Sequence, residues 1–121
     1  MNTYIDFVKK LVAMSSSIEA VYREICDDWA PDSPPVTTLF AAFGVQIAKD
    51  LRVVDVRINQ EIFSLIETAM ESDDSQLVSA VATGLIEALI AKTIQMEGGG
   101  LDVALFLGKR SKQHAKAWLS E

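Results

Sequence analysis

Apolar residues recur at three- and four-residue intervals along most of the chain, and no stretch alternates as a half-buried strand would. The first stripe joins Tyr4, Phe7, Val8, Leu11 and Val12. It predicts a helix from Tyr4 to about Met14, with Asn2 or Thr3 as its cap. A serine run interrupts it. Ser16 with Glu19 fits a capping box, and Ile18, Val21, Tyr22, Ile25 and Trp29 then mark one face of a second helix, about Ile18 to Trp29. Glu19, Arg23, Glu24, Asp27 and Asp28 fall mostly on its other faces. The segment PDSPP is the firmest break. Asp32 or Ser33 can cap the next helix, and Pro34 or Pro35 suits a first helical turn. That third helix is expected from about Val36 to Leu51, turning Leu39, Phe40, Phe43, Ile47 and Leu51 inward. RVVDV reads as a helix running on to Glu71 in preference to a brief extended piece. Asp55 is the cap of that fourth helix, whose stripe includes Ile58, Ile62, Leu65, Ile66 and Ala69.

ESDDS ends the fourth helix, and Asp73 or Asp74 caps a fifth, about Ser75 to Met96. This helix is apolar on most sides, which places it in the middle of the fold. Gly84 weakens it by about 1 kcal/mol relative to alanine, so a close crossing by another helix is expected there. Gly98–Gly100 stop it. A short turn, Asp102 to Leu107, and a last helix, Ser111 to Leu119, complete the chain. The expectation is an all-α fold. It is a single compact bundle of about five to seven helices spanning 1–121, with stacked helical hairpins as one arrangement, around the apolar central helix.

Composition bounds the rest. A chain of 121 residues that is 50% apolar can bury a core without disulfides or a structural metal. The single Cys26 closes no intrachain disulfide, and the N-terminal stretch lacks the order of a secretory signal, so a cytoplasmic setting is expected. Glu87 and Lys92 interrupt the longest apolar run, which reads as a buried helix and not as a membrane span. The net charge of −6 is unevenly placed. Residues 109–121 hold Lys109, Arg110, Lys112 and Lys116 against Glu121, a net +3, which leaves −9 on the remainder. An acidic body disfavours nucleic acid and attracts a basic partner.

Candidate chemistry is sparse. The segment from Gly98 to Ser111 invites a phosphate-loop reading, but five residues before Gly108 stands Val103, Lys109 is followed by Arg110, and an apolar helix precedes the loop. Gly108 reads instead as the left-handed residue closing a short helix. His114 and Cys26 are each the only residue of their type, too few for an ordinary zinc site within one chain. Cys26 reads as a small buried residue and His114 as part of an exposed basic helix. The closest carboxylates are Glu24 with Asp28, Glu61 with Glu67, and Asp73 with Asp74, which on solvated faces are surface charge. Glu87, inside the most apolar helix, requires a partner if buried, with Lys or Arg of a neighbouring helix the expected one. Trp29, Phe40 and Phe43 are expected in the core, while Trp118 either caps it or faces a partner.

The second half contains Phe63, Ile66-Glu67, the acidic break at Asp73-Asp74, Gly84-Leu85-Ile86-Glu87, and Leu107-Gly108 with Ser111. Over about residues 60–118 this pattern resembles small all-helical bacterial proteins found beside polymorphic toxins and presumed to be immunity proteins. The resemblance implies binding without catalysis, metal or cofactor. The partner it implies is a cognate protein toxin, basic around its active site, bound by a monomer or homodimer. On that basis the expected contacts are Glu24, Asp27, Asp28, Glu71, Asp73, Asp74 and Trp118. Two other classes stay open: a small carboxylate or metal-dependent hydrolase, and a helical scaffold or self-associating regulator.

Overall fold

The computed structural model describes residues 3–96 and 106–119, and side chains over 4–96 and 106–114. Within them the chain forms six helices and no strand: α1 (Thr3–Met14), α2 (Ser16–Trp29), α3 (Val36–Asp50), α4 (Val56–Met70), α5 (Ser75–Gln95) and α6 (Lys109–Leu119). Several boundaries differ from expectation for identifiable reasons. Ser15, not Ser16, caps α2, its hydroxyl accepting from the Ile18 amide at 3.3 Å. Pro35 occupies the cap position of α3, and neither Asp32 nor Ser33 caps it by a side chain. No helix runs through RVVDV. The chain turns over residues 51–54, and Asp55 starts α4 by accepting from the Arg57 amide at 2.7 Å. Asn59, buried beneath that turn, donates to the Leu51 carbonyl at 3.0 Å and holds the two helix ends together. Helix α6 begins two residues earlier than its composition indicates, at Lys109.

The centre of the bundle is the crossing of α3 and α5, two helices that are not consecutive. Phe40, Phe43 and Ile47 of α3 are buried against Val81, Leu85, Ile86, Leu89 and Ile90 of α5. Glycines permit the close approach. A Cβ on Gly44 would overlap the Leu85 carbonyl oxygen, and one on Gly84 would lie 3.0 Å from the Phe40 Cβ. Helix α5 changes form at this crossing: Ala80–Ile86 is π-helical between two α-helical parts, and the Glu87 amide reaches back to the Ala82 carbonyl. The Thr83 hydroxyl also donates to the Ser79 carbonyl, at 2.7 Å, where the ladder changes register. Among the described residues, helix α5 alone is long and apolar enough to cross a membrane, but more than half of it is buried inside the bundle.

The other helices surround this pair. α2 packs on α1 and α3, while α4 packs on α1, α5 and α6. Tyr4, Phe7, Phe40 and Phe43 form a chain of ring contacts 5.3–5.9 Å apart between α1 and α3. Asp50 ties α2 to α3, accepting from the Ser17 hydroxyl at 2.5 Å and the Gln46 amide at 3.0 Å.

Candidate functional site

The N-terminus of α6 is an anion-binding arrangement, and the protein's own Glu67 occupies it. Glu67 lies on α4, where it lines one cleft with Val56, Gln60 and Phe63. Its carboxylate accepts from the Arg110 amide at 2.6 Å, the Ser111 amide at 3.1 Å and the Ser111 hydroxyl at 2.9 Å. The two amides are donors that a helix start otherwise leaves unpaired. Burial works to raise the Glu67 pKa, but the two amides, the hydroxyl and the Arg110 charge outweigh it and hold the carboxyl below its ordinary value. Gly108 is not in the left-handed region. A Cβ there would lie 2.6 Å from the Glu67 carboxyl, so the glycine leaves the space in which that carboxylate sits. The loop-like Gly-Lys-Arg-Ser thus receives an anion, as its composition hints, but an internal one. Lys109 and Arg110 extend their side chains to solvent.

A second polar contact holds α6. His114 Nε2 lies 3.0 Å from a Glu87 carboxylate oxygen, both side chains about one-quarter exposed. Among the described residues the partner of Glu87 is therefore His114 and not a lysine or arginine, and His114 is half-buried, contrary to its expected exposure. Phe106 stacks on Phe63 at 5.3 Å, and Leu107 is buried beside them. Cys26 is likewise only half-buried. It neighbours Tyr22, whose hydroxyl pKa is raised, first by burial and then by that neighbour.

The acidic residues expected at an interface divide into two groups. Glu24, Asp27 and Asp28 are exposed on the C-terminal half of α2, and their carboxylates have no ion pair or hydrogen bond among the described residues. Glu71 and Asp73 are exposed at the α4–α5 turn. Asp74, in contrast, is the cap of α5, accepting from the Gln76 and Leu77 amides at 3.0 and 3.3 Å, so its carboxylate serves the fold. The two groups sit on elements that do not pack together. The side chain of Trp118 lies outside the described residues, as do Gly98–Gly100 and most of the 102–107 turn. Trp29 corrects the expectation of a core anchor: it is 43% exposed at the end of α2.

Among the described residues, no three His, Cys, Asp or Glu side chains gather closely enough to hold a metal ion. The clefts are open. One of about 510 Å³ lies between Tyr4, Thr37, Ser75, Ser79 and Thr83, with Asp74 as its one carboxylate. Another of about 530 Å³ lies along Val56, Gln60, Phe63 and Phe106, where Glu67 is already engaged as the cap. Set against known protein families, curated proteins and solved structures, the chain has no match.

Proposed function

We propose that the chain is a non-catalytic protein-binding domain, an immunity protein that neutralises a cognate bacterial toxin by covering its active site with an acidic surface. The observation that supports this reading is the end of α2, where Trp29 is exposed and Glu24, Asp27 and Asp28 are exposed on the helix's other rows. The last turn of that helix carries carboxylates and no base. Negative charge at a helix C-terminus opposes the macrodipole, at about 0.3–1 kcal/mol per group. An exposed indole forgoes the burial that would stabilise it. Both features disfavour the isolated fold and favour a complex, in which an aromatic anchor is a usual energetic centre. Toxins that act on nucleic acids or nucleotides present basic sites, and an acidic face accelerates encounter with them.

A hydrolase using helix carboxylates needs them to converge in a pocket, and the acids at the end of α2 are exposed to solvent. Self-association is a second reading, favoured by Val53 and Val56, 82% and 56% exposed at the α3–α4 turn. Light scattering across a concentration series distinguishes it. The direct test of the leading reading is co-expression with the product of the adjacent gene. Restored growth together with co-purification is the expected result, and failure of both overturns the immunity reading.

A further inference from the structure

The apolar stripe of α2 starts in the core and leaves it. Ile18 is fully buried, Val21, Tyr22 and Ile25 are half-buried, and Trp29 is 43% exposed. Ile18 and Trp29 are eleven residues apart, about three turns, so they point the same way some 16 Å apart along the helix. Among the described residues only α1 and α3 pack substantially on this helix, and its burial falls toward its end. Trp29 is therefore a core-facing position that the described residues cover only in part.

The acids beside it are not equivalent. At about 100° per residue, Glu24 and Asp28 share one row, which runs next to Val21 and Ile25 on the edge of the stripe. Asp27 belongs to a different row, with Glu19 and Arg23, on the opposite side. Arg23 pairs with Glu19 at 3.6 Å and stands one turn before Asp27, where its charge offsets that carboxylate.

The geometry points to one docking face on α2, with Trp29 and Ile25 as its floor and Glu24 and Asp28 as a rail on one side, and with Asp27 outside it. Its occupant, resting on the immunity reading, is a basic helix of the toxin carrying two arginines or lysines four residues apart beside an apolar side chain. Charge complementarity selects it, because the rail carries two carboxylates one turn apart and no cation shares its row. The four-residue spacing of the partner repeats the spacing of Glu24 and Asp28.

The test uses the full chain with Trp118→Phe, which leaves Trp29 as the only indole. The probe is a synthetic alanine-based helical peptide with two arginines four residues apart beside a leucine. Binding is read by indole fluorescence, and by calorimetry for variants without Trp29. Circular dichroism checks that each variant is folded, with Trp29→Phe as the milder alternative. Glu24→Lys, Asp28→Lys and Trp29→Ala are each expected to weaken binding about tenfold, and Asp27→Lys less than about twofold. Equal losses at Asp27 and Asp28 reduce the effect to a general negative field and overturn the face. So does undiminished binding by Trp29→Ala, or no binding by the unaltered rail. The same variants in the co-expression assay separate the two levels. Rescue that survives Asp28→Lys and Trp29→Ala overturns the docking face alone. Absence of rescue by the unaltered chain overturns the immunity reading, while the peptide measurements still decide the face.

Discussion

Glu67 shows how one residue can hold a helix to a bundle. Its carboxylate accepts three hydrogen bonds from the start of α6, and Gly108 leaves the space in which it sits. Glu67→Gln is expected to reduce stability at pH 7 by about 1 kcal/mol, the typical worth of a helix cap, measured by urea unfolding. The pH dependence has a definite sign. A carboxyl whose folded pKa is depressed contributes fully above its unfolded value, near about 4.3, and loses that contribution as pH falls through the lower folded value. The stability curves of the wild type and of Glu67→Gln should therefore converge as the pH drops below about 4; a gap that persists or widens there would refute this role. Gly108→Ala should act by the same route, since its Cβ displaces the flexible carboxylate. Combined with Glu67→Gln it should add little, and full additivity in a double-mutant cycle would mean that the two residues act separately. The sequence shows a glycine and an acid at these positions. It does not show their relation, because they lie 41 positions apart in the chain, with a whole helix between them.

At the scale of elements, the α3–α5 crossing decides the form of α5. Gly84 is legible as a contact point, and the structure places Phe40 against it. Gly44 is the tighter site, and nothing in its local sequence distinguishes it. Gly44→Ala drives a Cβ into the Leu85 carbonyl of a buried backbone that cannot yield cheaply, so a loss of about 3 kcal/mol is expected by thermal or chemical unfolding. Gly84→Ala meets a softer limit and gains helix propensity of about 1 kcal/mol, so its net effect should be much smaller. Equal effects at the two sites would contradict the close approach at Gly44. The π-helical segment at this crossing is not readable from periodicity, because Ala80–Ile86 is apolar on almost every side and supports either register. Helix α2 carries the opposite tension. Asp28 sits in a last turn that disfavours negative charge. Asp28→Asn should raise the stability of the free protein by about 0.3–1 kcal/mol, seen as a higher Tm, while weakening the α2 docking face. A lower Tm would indicate that Asp28 supports the fold.

For the whole molecule, the strongest packing lies between α3 and α5, whereas α6 is held at its edge by the Glu67 cap, the Glu87–His114 contact and the Phe63–Phe106 stack. Local opening should follow this difference. In Glu67→Gln, hydrogen exchange at the Arg110 and Ser111 amides should accelerate while amides in α3 and α5 keep their protection. Uniform acceleration across the bundle would instead mean that α6 and the centre open as one unit. Helix content, the approximate helix boundaries, the apolar centre near residues 75–96 and the surplus of acid are all readable along the chain. Each arises from local spacing, capping and composition, which neighbouring residues express together. Which tryptophan is exposed, which distant acid caps α6 and which glycine is indispensable are settled only by packing. Trp29 shares its stripe with Ile18 and differs only in what covers it, and Glu67 resembles Glu61 until α6 arrives. Those distinctions depend on contacts between distant segments, and the period of a helix carries no record of its neighbours.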